Sequence, residues 1–267
     1  MARAVSKIAV TPVRTFRLDH PDEVELGPRG VAENRRFFLV DGEGNRLRSS
    51  LTAWPVVLSA DYDVDAERLS VRFPDGETAG GSAVELLEPI TVVIDERTVA
   101  AHVLDGPWSE GLSRLAGHPV RIARTDNPGD ALVEPVTLVS ESSVERLARE
   151  AGEAVDGRRF RMLFTLSDCR PHEEDEWDGK LLRIGGAVVR VGGPVPRCAV
   201  TTRDPETGER DLDTLRLIKG YRGVRNGDAI DFGVYGRVEQ PGLVRVGDDV
   251  ELLEPSDGVE AARRRAE

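Results

Sequence analysis

LLRIGGAVVRVGGPVPRCAVTTRDPETGE, residues 181–209, carries two short apolar stretches broken by Gly-Gly pairs into a segment with the chemistry of a turn. The alternation of LLRI and AVVRV is that of short β-strands. Asp204-Pro205-Glu206-Thr207-Gly208 holds the residues that reverse a chain. Cys198 therefore stands where a strand ends and a turn begins. Arg197 and Arg203 flank it, and Thr201 and Thr202 add hydroxyl donors. An electropositive, partly open setting favours the thiolate and marks a reactive thiol. The competing reading is a cysteine buried as a small hydrophobe.

Outward from this segment the same pattern repeats. KIAVTPVR, RRFFLVD, VVLSADYDV, ERLSVRF, AVELL and ITVVI are β-like runs separated by Gly, Pro, Asp and Asn, and they predict a small antiparallel barrel in the first half. PWSEGLSRLAG, residues 107–117, predicts a short helix between Pro107 and Gly117. DNPGDALVEP, residues 126–135, reads as a loop and divides the chain into 1–125 and 126–255. SESSVERLAREA, residues 140–151, has apolar residues at helical spacing, with Ser142 and Glu145 fitting a capping box. Its start offers N–H groups beside serine hydroxyls, a setting that suits a phosphate, although the segment by itself favours ordinary capping. RRFRMLFTLSD, LLRI, AVVRV, AIDFGVYG and LVRVGDDVELL return to short strands, with a helix expected in DLDTLRLIKG. The expected fold is mostly β, a β-barrel with a few helices, followed by a charged tail over 256–267.

The chain has 267 residues and a formal net charge of −12, which argues against nonspecific nucleic-acid binding. Any anion site must be local. No apolar run approaches the ~20 residues that span a bilayer, and the start lacks the apolar core of a signal peptide. A soluble, cytoplasmic protein without a membrane partner is expected. Cys169 and Cys198, the two cysteines, form no CxxC, and His20, His102, His118 and His172 show no zinc-binding spacing. Arg158, Arg159 and Arg161 could meet an anion or line the wet face of a strand. Trp177 reads as a core anchor, and Cys169 as incidental.

Seven blocks occur in order: TPVRT (11–15), GVAENRRFFLVDGEGN (30–45), EPVTLVSESS (134–143), RRFR (158–161), EDEWDGKLLRIGG (174–186), PRCAVTTRDPETG (196–208) and LVRVGDDVELL (243–253). In them the chain resembles the MOSC family with its preceding β-barrel domain, and within it the amidoxime-reducing components and their bacterial relatives. The resemblance runs to about residue 254 and implies two β-barrel domains, 1–125 and 126–255. It also implies a molybdenum cofactor, the metal held by the pterin dithiolene and by one thiolate, at Cys198. Arg14 and Thr15 match the family's Lys-Ser pair after the first strand, and Arg35 or Arg36 its basic position. Ser140 and Ser142 match the helix start, and Arg161 the Arg of Phe-Arg. Thr201 and Thr202 join this cofactor-binding set, and Asp178 would lie near the cysteine-bearing strand as an orienting acid, catalytic together with Cys198. Two positions depart from the family pattern. Met162 and Leu163 follow Arg161 where Pro-Asn is frequent, removing an amide that could bond the pterin, and Asn34 replaces an acid before Arg35. Pyridoxal phosphate binding is a further association of the family.

The implied activity is reduction of N-hydroxylated or related N–O compounds. The chain carries no set of CxxC motifs for iron–sulfur centres and no strand-linked GxGxxG, so electrons would come from a separate donor protein. The alternatives are sulfur transfer through Cys198 and a carrier that holds the cofactor for delivery.

Overall fold

The computed structural model describes residues 2–47, 54–94 and 97–253, so the charged tail lies outside the described residues. The fold is mostly β, and its largest sheet has seven strands. Their order is Ala4–Ile8, Phe164–Ser167, Val136–Ser140, Asp231–Gln240, Ala187–Pro196, Leu181–Ile184 and Val250–Leu253. Only Val136–Ser140 and Phe164–Ser167 pair in parallel within it; the other pairings are antiparallel. Val5 N–H donates to Asp248 O at 2.9 Å and Val250 N–H to Arg3 O at 2.8 Å, which nearly closes the sheet into a barrel. Alternation makes the interior: Val136, Leu138, Phe164, Leu166, Val189, Val191 and Val234 point inward with Trp177 and are all buried. Trp177 is thus a core anchor, as its sequence context suggests.

The first strand of the chain belongs to this sheet, and Glu23–Gly27 pairs with Gly242–Arg245. Segments from early and late in the chain are therefore woven together. The rest of the first half forms a four-stranded sheet, Phe37–Asp41, Val120–Thr125, Arg97–Leu104 and Leu86–Ile94 in that order, and a three-stranded one, Ser59–Asp63, Arg68–Arg72 and Thr78–Ser82. They share a core of Phe16, Phe37, Leu58, Leu69, Trp108 and Leu112.

The helix Trp108–Ala116 ends at Gly117, whose φ of 74° is the left-handed conformation that glycine adopts without cost. The helix Glu141–Ala151 is capped by Ser140, which accepts from Ser143 N–H, so the cap stands two residues before the expected Ser142. The third helix, Thr214–Arg222, is capped by Asp213. Residues 126–135 form the expected loop. One segment departs from expectation. The strand read into RRFRMLFTLSD starts only at Phe164, because Asp156 accepts Arg158 N–H at 2.8 Å and winds Gly157–Phe160 into a 3-10 turn.

Candidate functional site

Cys198 lies just past the strand Ala187–Pro196 and caps a 3-10 turn, Ala199–Thr202. It is exposed. The turn downstream is built as its sequence implies: Asp204 Oδ1 accepts from Glu206 and Thr207 N–H, both at 2.8 Å, and Gly208 takes a φ of 76°. Thr202 Oγ1 donates to Ala199 O at 2.7 Å, and Thr201 Oγ1 to Cys198 O at 3.1 Å. Both threonines thus spend their hydroxyl protons on the turn that carries the thiol. Their hydroxyls brace that turn.

Arg197 lies over Phe160, which stacks on Phe232, its guanidinium carbon 5.4 Å from the Phe160 ring centre. Its Nη1 donates to Phe160 O at 2.9 Å, its Nε to Phe232 O at 2.8 Å, and its Nη2 reaches Met162 Sδ at 2.7 Å. Met162 is a buried member of this cluster, which explains an apolar residue after Arg161. A Cβ at Gly233 would stand 2.5 Å from the Met162 methyl and 2.6 Å from Leu138 O, so only glycine fits there.

Three further arginines gather nearby. The segment Thr11–Arg14 runs beside Arg35–Phe37: Arg35 N–H donates to Thr11 O and Arg14 N–H to Phe37 O, each at 2.7 Å. Arg35 Nη2 then donates to Arg161 O at 2.7 Å, and Arg161 Nη2 to Phe16 O at 2.7 Å. Arg14 donates to Ala131 O. Thr15, Arg35 and Arg161 all hold positive φ, 81°, 57° and 53°, a conformation unfavourable for side chains other than glycine. Such outliers concentrate where surroundings fix a functional geometry.

The cluster is electrostatically costly. Burial, and then Arg35 and Arg14, push the Arg161 guanidinium down to about 9. Burial and then Arg14 push Arg35 down to about 10. Burial lowers Arg197 to about 10, with Arg35 adding to the effect while the Cys198 sulfur, Tyr235 and Asp231 oppose it. Among the described residues, the side-chain hydrogen bonds of Arg35, Arg161 and Arg197 go to carbonyl oxygens and one thioether, and none of the three makes an ion pair. A cluster of cations with a thiol at its edge has the chemistry that suits an anion.

Other residues singled out by the sequence lie elsewhere. Arg36, adjacent to Arg35 but facing away, pairs with Glu33 and reaches Thr125 O and Asp126 O. Asn34 is buried and its Oδ1 accepts Thr11 N–H at 3.1 Å, holding the Thr11–Arg14 segment in register, a task for which an amide serves where a charged acid would be desolvated. Arg158 pairs with Asp156 and Glu206, and Arg159 forks onto Asp211 at 2.7 and 2.6 Å. Asp178 is exposed at the end of the 3-10 turn Glu173–Trp177, and the next residue, Gly179, donates to Val191 O. Val191 precedes Cys198 by seven residues of mostly extended chain, on the order of 20 Å. Asp178 therefore cannot orient the thiol.

The helix start holds the largest surprise. Glu174, fully buried, accepts from Ser140 Oγ at 2.9 Å, Ser143 Oγ at 2.8 Å and Ser140 N–H at 3.3 Å. Ser140 is itself fully buried, and Ser142, among the described residues, donates only to Ser140 Oγ at 3.2 Å. The group that occupies this helix N-terminus is the protein's own Glu174 carboxyl, whose pKa burial raises while the hydrogen bonds from Ser143 and Ser140 pull it down. Cys169 also proves structural in character: half-buried, bonded to Ser167 O, its thiol pushed up to about 12 by burial and by Glu173 and Glu174.

A group with an anionic tail and a thiophilic metal fits these residues. The described residues hold no cluster of three or more His, Cys, Asp or Glu suited to a metal, so a metal bound at Cys198 would bring most of its ligands with it. Residues 125–251 match the family model for the MOSC domain. The chain is 32% identical to human mitochondrial amidoxime-reducing component 1, with 93% of this chain and 82% of that protein aligned. The chain belongs to the MOSC family. The corresponding protein of Xenopus laevis is 26% identical over 92% of this chain and 81% of its own length. Molybdenum cofactor sulfurase of Drosophila melanogaster is 25% identical over 94% of this chain but only 33% of its own length. No helix among the described residues is long and apolar enough to cross a membrane.

Proposed function

We propose that this MOSC protein is a molybdenum-cofactor oxidoreductase that reduces N-hydroxylated or related N–O compounds with electrons from a separate donor protein, in the cytoplasm. The observation that carries the reading is the convergence of exposed Cys198 with Arg14, Arg35, Arg161 and Arg197 in a chain of net charge −12. The cofactor supplies two-electron oxygen-atom chemistry at its metal when bound. The chain's residues do the rest. Cys198 offers a soft sulfur ligand, Arg14, Arg35 and Arg161 take the terminal phosphate, and Arg197 holds the cysteine turn while contributing positive charge beside the sulfur. The positive-φ backbone at Thr15, Arg35 and Arg161 fixes those guanidiniums before the ligand arrives, so little ordering entropy is lost on binding. Pyridoxal phosphate fits less well: its aldehyde calls for a lysine amine, and this cluster consists of arginines and a thiol.

The similarity to a cofactor sulfurase favours a second reading, sulfur transfer through a persulfide on Cys198. One experiment separates the two. Protein made in a host that synthesises the cofactor is reduced with a viologen and offered N-oxides, S-oxides and N-hydroxylated bases, with NADH alone as the failing control. Turnover by wild type and silence of Cys198→Ser support the reductase. No turnover by metal-replete protein, with sulfur accepted from a persulfide donor, replaces it with sulfur transfer.

A further inference from the structure

Thr214 is fully buried at the first position of the helix Thr214–Arg222, sixteen residues after Cys198 and outside every motif that marks the site. Its Oγ1 stands 2.8 Å from Oγ1 of Thr201, which is also buried. Thr201 has one hydroxyl proton. The Cys198 carbonyl, 3.1 Å away, accepts it together with the Thr201 N–H at 3.2 Å. Either threonine oxygen could donate across the 2.8 Å contact; when Thr201 gives its proton to the Cys198 carbonyl, the proton between the two threonines comes from Thr214. The result is a chain of buried hydrogen bonds from Thr214 through Thr201 to the carbonyl of the residue that bears the thiol, each polarising the next.

We propose that Thr214 is a positioning residue for Cys198, acting through Thr201; its relevance to catalysis rests on the molybdenum reading above, although its effect on the thiol does not. The Cys198 backbone is extended, with φ −120° and ψ 177°, and the orientation of its carbonyl fixes ψ and with it the relation of the thiol to the turn that follows. The anchor is firm because the helix is held at its far end too. Tyr221 Oη lies 3.0 Å from His172 Nε2, and Arg222 pairs with Asp175 at 2.6 Å. Thr214 N–H is occupied by Leu212 O at 2.9 Å, so the backbone keeps its place when the side chain is changed.

The test uses full-length protein without metal, in a Cys169→Ser background so that one thiol remains. Alkylation of Cys198 by iodoacetamide is followed from neutral to alkaline pH in wild type, Thr214→Val, Thr214→Ser and Thr201→Val. Valine keeps the shape and removes the donor; serine restores it. Thr214→Val should change the alkylation rate by about threefold to tenfold, the worth of one such hydrogen bond. Thr201→Val should change it in the same sense and at least as much, and Thr214→Ser should return it to the wild-type value. A wild-type rate in Thr214→Val, or no rescue by serine, overturns the proposal and leaves Thr214 a helix residue with a buried hydroxyl. Thermal unfolding of each variant confirms that the comparison is between folded proteins, and should a valine variant fail to fold, Thr214→Ala takes its place with the same expected direction. Loss of the molybdenum reading would show instead as wild type that binds no cofactor while the alkylation pattern holds.

Discussion

Two regions of this protein are built for negative charge, and they are settled in opposite ways. At the start of the helix Glu141–Ala151, N–H and hydroxyl donors converge on Glu174, a carboxylate that the chain supplies to itself. At the Cys198 edge of the barrel, Arg35, Arg161 and Arg197 converge with their hydrogen bonds aimed at carbonyl oxygens and a thioether. The first region is complete within the fold. The second bears an electrostatic cost, since burial and mutual repulsion hold its guanidiniums below their usual range, and an anion would relieve it. A helix N-terminus is thus not a ligand site when a buried carboxylate reaches it first, whereas cations that carry electrostatic strain invite one.

The contrast makes its strongest demand on Glu174. Glu174→Ala strands two buried serine hydroxyls and an N–H, and should lower unfolding free energy by about 3 kcal/mol while leaving cofactor content per folded molecule unchanged, as read by chemical denaturation and pterin analysis. Loss of pterin at full stability would make the helix start part of the site after all. Arg161→Ala should do the reverse. Its fold should stay cooperative, and pterin retained on dialysis should fall by about tenfold, the loss of one charge-assisted contact, with Arg161→Lys intermediate because a lysine cannot fork. Inorganic phosphate should raise the melting temperature of cofactor-free wild type more than that of Arg161→Ala.

Acid sharpens the comparison from the other side. His172 N–H donates to Ser143 Oγ at 2.8 Å, placing it in the self-satisfied region, and burial, then Arg222 and Arg146, hold its imidazole down to about 4. The unfolded chain takes up that proton near pH 6.5 and the folded chain resists until about 4, so stability falls as pH drops through this window. The stability curve of His172→Asn should be flatter there; an equally steep curve would assign the acid sensitivity elsewhere. Ser142→Ala should have the smallest effect. Among the described residues its hydroxyl donates only to Ser140 Oγ, and the change should cost less than about 0.5 kcal/mol and leave cofactor content alone.

Much of this was legible in the sequence because it is local. The helix between Pro107 and Gly117, the helix after Ser140 and the Asp204–Gly208 turn depend on residues within a few positions of each other. The order of the seven blocks carried the family and the mostly β fold. The errors share one cause, contacts remote in sequence. Glu174 meets Ser140 across thirty-four positions, and nothing local to SESS announces it. Asp178 precedes Gly179, which bonds Val191, seven residues before Cys198 on the strand that leads to it. Arg35 and Arg36 are equivalent as letters, and only the pairing of Arg36 with Glu33 decides between them. Thr214 gave no signal, since its partner is another hydroxyl thirteen residues away.

The central claim, that the cation cluster beside Cys198 holds a molybdenum cofactor through that sulfur, is tested most directly by metal content. Wild type, Cys198→Ser and Cys169→Ser are purified from a host competent in cofactor synthesis, and molybdenum and pterin are measured per folded protein. Wild type and Cys169→Ser should carry both in near-equal amounts, and Cys198→Ser should lose most of its molybdenum. Equal molybdenum in wild type and Cys198→Ser would contradict the account.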